Sequence, residues 1–159
     1  MAVQPIPEGY HSVTPYLSIK GAARALDFYK QAFGATELVR MDGPNGTIAH
    51  AEIRIGDSPI MMSDEAPDTV CASPDTLQST SVGLMIYVPN VDAVFANALK
   101  AGGTEVRPVV DQFYGDRSGT LKDPFGHVWT VSTHVEDVAP DEMARRMEKW
   151  TKEQAAASA

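Results

Sequence analysis

Three side chains suited to acid–base or anion-binding chemistry alternate along one short segment. In IAHAEIRI, His50, Glu52 and Arg54 are each two residues apart, and the residues between them are apolar. Side chains two apart on a strand point to the same face, so these three groups would share one surface. Glu52 could then act as a general base assisted by His50, and Arg54 could bind a carboxylate or phosphate as a bidentate fork. The same spacing is also typical of a charge ladder in which Arg54 pairs with Glu52.

A second set of polar side chains lies on other predicted strands. Tyr16 belongs to the polar face of the first predicted strand. Thr130, Ser132 and His134 belong to the polar face of the last one. A surface of hydroxyl and imidazole groups suits a small polar ligand. We therefore predict that these residues, together with Arg54, bind the substrate. The prediction depends on register, because a slip of one residue would reverse every face.

One loop carries further candidate contacts. The segment DQFYGDRSG, residues 111–119, combines two aromatic residues, two glycines and an Asp–Arg pair. Loops with glycine hinges often close over a ligand, which makes Phe113 and Arg117 candidate substrate contacts. The alternative is a turn with an internal salt bridge. We interpret His127 as a structural residue at a strand start and His11 as a surface residue of the N-terminal arm.

Apolar periodicity predicts the elements that would hold these residues. Strands with alternating polarity are predicted at 13–19, 36–40, 48–55, 59–63, 82–88, 104–110, 118–122 and 128–134. Apolar stripes predict helices at 22–33, 91–101 and from Pro140 onward, the last with Met143, Met147 and Trp150 in its stripe. Pro15 cannot donate to a sheet ladder, so the first strand is at an edge or starts after it.

The two halves of the chain repeat. AFGATEL at 32–38 matches AGGTEV at 101–106 with one gap, and each half has the order β-α-β-β-β. This predicts an α+β fold in which two tandem βαβββ modules form cupped mixed sheets, followed by a C-terminal helix. Within a single domain, 1–159, the predicted boundaries are 12–65 for the first module, 66–81 for a linker, 82–137 for the second module and 138–159 for the helix and tail.

Three long segments resemble the glyoxalase/bleomycin-resistance/dioxygenase superfamily, the vicinal oxygen chelate group, and most of all its PhnB-like branch. They are VTPYLSIKGAARALDFYKQAFGATEL, IAHAEIRIGDSPIMMSDE and DRSGTLKDPFGHVWTVSTHVED. The resemblance covers roughly residues 10–137. It implies a small-molecule ligand in the cup and a homodimer that completes the cup between modules.

The resemblance also implies where a metal would bind. The metalloenzymes of the superfamily hold a divalent ion with His, Gln or Glu from the first and last strands of each module. The corresponding positions here are Thr14, Ile60–Met62, Gly83 and Thr130. None offers the imidazole, thiolate or carboxylate that a divalent transition metal prefers, so we expect no cofactor. A rearranged metal site built from His50, Glu52 and His134 is the alternative.

The charge composition of the chain argues against some classes of binding partner. The chain has 159 residues, 43% of them hydrophobic, with 13 basic and 21 acidic side chains and a net charge of −8. Such an acidic chain is not expected to bind nucleic acid or anionic membranes, because both require clustered Lys and Arg. Cys71 is the only cysteine, which excludes an internal disulfide. No signal-peptide pattern precedes the first strand, so we expect a cytoplasmic protein.

These observations predict a superfamily protein that binds a small polar molecule in a cupped cavity without the usual metal site. It would act as a binder or as a metal-independent lyase or isomerase. One alternative is a metal-dependent glyoxalase-type lyase or dioxygenase with the rearranged site. The other is a non-enzymatic interaction module in which the C-terminal helix docks a partner.

Overall fold

The structure is a computed structural model that describes residues 3–67 and 70–157. The first half of the chain forms β1 (Tyr16–Ile19), α1 (Ala22–Phe33), β2 (Thr36–Asp42), a 3-10 turn (Pro44–Gly46), β3 (Ile48–Ile55) and β4 (Ser58–Asp64). A short helix, α2 (Pro74–Leu77), lies in the connection. The second half forms β5 (Gly83–Tyr87), α3 (Val91–Lys100), β6 (Thr104–Asp111), β7 (Asp116–Lys122) and β8 (Val128–His134), and α4 (Pro140–Ala157) follows.

The two halves form two four-stranded sheets of equivalent topology. The first sheet has the order β1-β4-β3-β2 and the second has the order β5-β8-β7-β6. In each, the first strand of the half runs parallel to the last, and the other pairs are antiparallel. This confirms the predicted α+β fold of two βαβββ modules with a C-terminal helix. Of the two positions predicted for the first strand, the structure shows that β1 starts after Pro15. The connection between the halves, predicted as a linker, contains the short helix α2, which Ser73 caps.

Helix α1 packs on the first sheet through one apolar stripe. It begins where Asp64, at the end of β4, accepts hydrogen bonds from the backbone N–H groups of Gly21 at 2.8 Å and Ala22 at 3.0 Å. A carboxylate at this position satisfies N–H groups that the first turn leaves free and complements the helix dipole. The helix ends at Gly34, whose φ of 68° suits glycine. Its buried stripe includes Ala25, Leu26, Tyr29 and Phe33.

Strand register places the predicted polar side chains away from the helices. On β3, Ala51, Ile53 and Ile55 are buried, whereas His50, Glu52 and Arg54 alternate with them on the opposite face. On β8, Trp129 and Val131 are buried in the core, and Thr130 and His134 belong to the other face. We call the sheet faces opposite the helices the open faces. In both strands the polar side chains therefore lie on the face that the alternation predicted, opposite the helices.

On their helix side the two modules share a buried carboxylate, beside the packing of Tyr29 and Phe33 against Trp129. Asp123, only 3% exposed, accepts hydrogen bonds from the Tyr29 hydroxyl of the first module at 2.8 Å and from the Trp129 indole at 3.0 Å. The backbone N–H groups of Phe125 and His127 donate to its other oxygen, both at 2.9 Å. Burial, reinforced by Asp123, raises the pKa of Tyr29 well above its ordinary value, so the phenol remains a donor.

Helix α4 lies against the second module through an aromatic contact and an ion pair. The Trp150 ring is 5.5 Å from that of Phe113, and Arg146 pairs with Glu136 through two 2.7 Å contacts. The predicted apolar stripe of this helix is thus partly used within the chain. No helix in residues 3–67 or 70–157 is both long enough and apolar enough to cross a membrane.

Asp123→Asn should destabilise the fold by about 2–3 kcal/mol, because an amide cannot accept from both pairs of donors and leaves a buried polar group unpaired. Tyr29→Phe, which removes a single donor, should cost about 1 kcal/mol. Urea denaturation followed by circular dichroism measures both free energies of unfolding. Asp27→Asn, on the exposed side of α1, is the matched control. Equal midpoints for the Asp123 and Asp27 variants would contradict this role of the carboxylate.

Candidate functional site

A chain of hydrogen bonds on the open face of the first sheet links Tyr16, His50 and Glu52. The Tyr16 hydroxyl lies 3.0 Å from His50 Nδ1, and His50 Nε2 lies 2.9 Å from Glu52 Oε1. We call these three residues the Tyr16 relay. The second Glu52 oxygen accepts a hydrogen bond from the hydroxyl of Tyr10, in the N-terminal arm. The relay arises because Tyr16 and Glu52 both align with Met61, the residue between them in the sheet.

The partners of His50 define its tautomer. An ionised carboxylate only accepts hydrogen bonds, so His50 Nε2 carries the hydrogen that faces Glu52. In a neutral ring His50 Nδ1 is then an acceptor and receives the hydrogen of the Tyr16 hydroxyl. Glu52 is 12% exposed, whereas Tyr16 is 53% exposed. The end of the relay that a ligand can reach is therefore the tyrosine hydroxyl.

Arg54 is an available guanidinium on the same open face. It is exposed and makes no hydrogen bond or ion pair with the residues that the structure describes. Of the charge ladder given as the alternative, only the His50–Glu52 contact is present among the described residues, and the other Glu52 partner is Tyr10, not Arg54. The group remains suited to an anionic ligand.

A second polar cluster lies on the open face of the second sheet and is centred on Asp116. This buried carboxylate accepts from the Tyr87 hydroxyl at 2.9 Å, from Ser132 Oγ at 3.1 Å and from His134 Nδ1 at 2.8 Å. We call these four residues the Asp116 cluster. Burial by itself would raise the pKa of Asp116, but the hydrogen bonds from His134, Tyr87 and Ser132 together outweigh it and lower that pKa. Asp116 is therefore an anion held by three donors.

His134 is held between two carboxylates. Its Nδ1 faces Asp116, and its Nε2 lies 3.0 Å from Asp137. The hydrogen bonds to Asp116 and Asp137 raise the pKa of His134 above its ordinary value. When both ring nitrogens donate, the ring is an imidazolium. In this arrangement His134 is a cationic contact, with neither nitrogen free to bind a metal.

The remaining predicted contacts are already engaged within the chain. Thr130 Oγ1 lies 3.2 Å from Thr120 Oγ1, and the hydroxyl of fully buried Ser132 is directed to Asp116. The Phe113 ring packs at a tilt of 34° against Trp150 of α4. These side chains form part of the open face and its border, but the hydroxyl groups among them already have partners within the chain.

Arg117 forms a network with acidic side chains. It binds Asp92, at the start of α3, through two contacts of 2.7 and 2.9 Å and Asp111 through one of 3.1 Å. These partners raise the pKa of Arg117, with Asp92 the larger influence. The internal salt bridge predicted as the alternative for this loop is therefore present.

The structure brings Tyr16, His50 and Glu52 together but leaves His134 on the other sheet. No hydrogen bond or ion pair between the described residues joins the Tyr16 relay to the Asp116 cluster. Within the same ranges, no three His, Cys, Asp or Glu side chains are grouped to hold a metal ion. The rearranged site of His50, Glu52 and His134 is thus not assembled within one chain.

The sequence did not predict the contacts that Asp116, Tyr87 and Tyr10 make in or beside these clusters. Asp116 precedes the predicted start of its strand, although it alternates with Ser118 and Thr120 and could have been found by extending that pattern. Tyr87 lies on the polar face of β5. Its position opposite Ser132 follows from the pairing of β5 with β8, which the sequence does not give. Tyr10 lies in an arm without periodicity, and nothing in the sequence indicated its contact with Glu52.

Comparison with known proteins identifies the family. The model of the Glyoxalase/Bleomycin resistance protein/Dioxygenase superfamily matches residues 11–131. The chain belongs to this superfamily. An uncharacterised protein of Mycobacterium bovis is 41% identical over 140 residues, which cover 86% of this chain and 91% of that protein. The resemblance inferred from the sequence motifs is therefore confirmed.

Solved structures agree with this assignment. TioX from Micromonospora sp. ML1 is 28% identical, with a TM-score of 0.63 over 79% of this chain and 99% of that chain. A PhnB protein from Bacillus cereus, described as a putative 3-demethylubiquinone-9 3-methyltransferase, has a TM-score of 0.62 at 19% identity, over 77% of this chain and 99% of that chain. The second likeness shows the shared fold alone.

The positions where the superfamily's metalloenzymes bind a metal do not fit a divalent ion here. The Thr14 hydroxyl lies 3.4 Å from the His11 carbonyl oxygen, and the Thr130 hydroxyl pairs with Thr120. Gly83 has no side chain, and the strand between Ile60 and Met62 offers only a hydrocarbon and thioethers. Neutral hydroxyls and thioethers are poor ligands for such an ion, so no step of the chemistry is assigned to a metal at these positions.

The Asp116–His134 contact predicts a measurable titration shift. The pKa of His134 should lie above 6.5 in the folded protein, and Asp116→Asn should lower it. A histidine whose pKa is raised on folding adds stability below its unfolded pKa and loses that contribution as the pH rises through the folded value. NMR titration of the ring protons measures the pKa, with His11 as the reference resonance. A His134 pKa unchanged in the Asp116 variant would contradict the assignment.

Proposed function

We propose that this member of the superfamily binds a small polar molecule on its open faces, in the cytoplasm, and transfers a proton on that molecule without a metal. This is the chemistry of a lyase or an isomerase. The observation that carries the proposal is the Tyr16 relay, an exposed phenol backed by an imidazole and a carboxylate. Arg54 lies beside it on the same face and supplies a charge for an acidic group of the ligand.

The relay supports a simple mechanism. Tyr16 passes its hydroxyl proton to His50 Nδ1 as its oxygen removes a proton from the bound molecule. His50 then becomes an imidazolium, which the Glu52 carboxylate stabilises at 2.9 Å. Return of the proton from His50 through Tyr16 to another atom of the substrate, or to a leaving group, completes an isomerisation or an elimination. Every proton is returned, so no external acid or base is consumed.

The position of Glu52 gives it the role of a positioning residue for His50. Its carboxylate is less exposed to solvent than Tyr16, and both of its oxygens have hydrogen-bond partners. A base acts most effectively when a second group fixes its tautomer and orientation. Tyr16 and His50 therefore carry the proton, Tyr16 touches the substrate, and Glu52 fixes the orientation of His50.

A binding role without turnover is the other form of the same proposal. Both forms need Arg54, Thr130 and the Asp116 cluster to shape a polar surface, but only catalysis needs the relay to move a proton. A relay that only donates a hydrogen bond would still select a polar ligand, so an experiment must separate binding from catalysis.

We further propose that two copies of the chain complete the binding cavity. The relay and the Asp116 cluster lie on different sheets, and each open face exposes large side chains, two of them the tyrosine rings of these clusters. Tyr16 is 53%, Met85 47% and Tyr87 62% exposed. Exposed apolar patches with a polar border are typical of interfaces and ligand sites. A second copy facing these sheets would cover them and bring the two clusters to one cavity.

Glu52→Gln should separate binding from catalysis. A thermal-shift screen with methylglyoxal plus glutathione, alkyl phosphonates and aromatic antibiotics first identifies ligands of the unaltered protein. For a ligand that is also converted, kcat should fall by about 100-fold, because proton transfer by a positioned group contributes about that much, while Kd changes by less than about threefold.

Two matched variants complete this test. Tyr16→Phe should lower kcat at least as much as Glu52→Gln, and Asp57→Asn, in the turn between β3 and β4, should leave it unchanged. Unchanged turnover in both relay variants would eliminate the catalytic form. Unchanged affinity in Tyr16→Phe and Arg54→Ala together would show that the ligand binds elsewhere.

The dimer proposal predicts a mass of about twice the 17.1 kDa of the chain by light scattering after size-exclusion chromatography. Met85→Glu should shift the protein toward the monomer, because it places a charge on the open face of the second sheet. Val135→Glu, at a similarly exposed apolar residue beyond the end of β8, is the control. A monomeric unaltered protein would exclude a shared cavity.

A further inference from the structure

Residues 3–14 form an extended arm that precedes the first strand, and we call them the N-terminal arm. Most of the arm is exposed, but Tyr10 is half-buried. The Tyr10 hydroxyl donates to the Glu52 carboxylate of β3. A second hydrogen bond, from the Tyr10 N–H to the Pro7 carbonyl at 3.1 Å, stays within the arm. Tyr10 therefore attaches the N-terminal arm to the first sheet.

This contact requires the arm to cross the open face of the first sheet. At Pro15 the chain still lies at the sheet edge, because the Pro15 carbonyl accepts from the Met61 N–H at 2.9 Å. Glu52 lies on β3, and β4 separates β3 from β1. Neighbouring strands are about 4.8 Å apart, so the arm and the Tyr10 side chain span roughly 10 Å. They cover part of β4 and reach the Tyr16 relay.

The same arm also borders the edge of the second sheet. A groove of about 740 Å³ is lined by His11 and Val13 of the arm and by residues 84–88 of β5. Tyr87, which belongs to the Asp116 cluster, is part of that lining. Movement of the arm would therefore change access to both sheets.

Little besides Tyr10 holds the arm in place. Gly9 has a φ of 81°, and a Cβ added there would meet no atom within 4 Å. Val3 is 93% and Val13 84% exposed, so these apolar residues add almost no buried area. A segment with few buried apolar contacts opens at a low free-energy cost. The hydroxyl of Tyr10 is therefore expected to decide how often the arm is closed.

We propose that the N-terminal arm closes over the Tyr16 relay and that the Tyr10–Glu52 hydrogen bond, which we call the latch, holds it closed. In the closed state Tyr10 covers the second oxygen of Glu52 and acts as a positioning residue for that carboxylate. Opening exposes Glu52 and His50, whose side chains are only 12% and 23% exposed when the arm is closed. That the arm admits a substrate rests on the proposed function, whereas the latch itself needs no turnover.

Proteolysis measures how often the arm is open, because Glu8 is the only acidic residue in positions 1–13. Glu-C protease cuts after Glu8 when the arm is open, so its rate follows the open population. Tyr10→Phe keeps the ring but removes the donor, and cleavage after Glu8 should become about tenfold faster. Cleavage after Glu153, in exposed helix α4, is the internal reference. Synthetic peptides of residues 3–14, with and without the substitution, correct for the preference of the protease.

Further variants assign the effect to the latch. Glu52→Ala removes the acceptor and should accelerate cleavage as much as Tyr10→Phe does. The double variant should add nothing further, because both changes break the same contact. Tyr16→Phe, which alters the relay but not the latch, should leave the rate unchanged. Repeating the comparison in Met85→Glu, expected to favour the monomer, separates the latch from cover by a second copy.

Chemical modification tests whether the arm covers the relay. Diethyl pyrocarbonate acylates neutral imidazole, and peptide mass spectrometry gives the rate at each histidine. Tyr10→Phe should accelerate modification of His50 several-fold. Modification of His134, on the other sheet, should not change.

Two results would overturn the proposal. One is equal cleavage after Glu8 in the unaltered protein and in Tyr10→Phe. The other is faster cleavage without faster modification of His50, which would mean that the arm does not cover the relay. Neither readout uses a ligand or turnover. Failure of the latch would therefore leave the proposed proton transfer unaffected, and loss of the proton-transfer proposal would leave the latch unaffected.

Discussion

The carboxylate of Asp123 is the interaction on which the arrangement of the two modules depends. A charged group so deeply buried is tolerated only when donors surround it, and here four do. Two of them come from the turn that leads into β8, so the carboxylate also shapes that turn. The Tyr29 hydroxyl, from the other module, adds a contact that the turn alone could not provide. It thereby adds a polar contact to the packing of Phe28, Tyr29 and Phe33 against Phe125 and Trp129 of the second module.

Fixing the helix sides determines what the open faces can do. Because α1 and α3 cover one side of each sheet, the polar parity of β3, β7 and β8 has no helix to pack against. Side chains there pair along the sheet surface instead, and this produces the Tyr16 relay on one sheet and the Asp116 cluster on the other. Each is a carboxylate that orients an imidazole, but the two differ in chemistry. His50 keeps an acceptor nitrogen for a phenol, whereas His134 donates to two carboxylates.

The same turn also places a buried histidine, His127, beside the first module. Asp123 accepts from the backbone of His127, which positions that ring beside Ser18. His127 was predicted to be a structural residue at a strand start, and it is buried. Periodicity could not indicate that its Nε2 would lack a partner among residues 3–67 and 70–157, because that depends on how distant segments pack around it. The short helix α2 escaped prediction for a similar reason: four residues are too few for a periodic signal.

The sequence by itself determined the duplicated βαβββ order, the strands that carry the polar groups and the face on which His50, Glu52 and Arg54 lie. These features follow from local periodicity and from a repeat, and both are encoded within short segments. Only the tertiary structure decided which partners those groups have. Glu52 binds His50 and Tyr10 and not Arg54, Arg117 binds Asp92, and His134 lies on a different sheet from Glu52. Partner choice is set by strand pairing and by the approach of distant segments, and no local pattern records it.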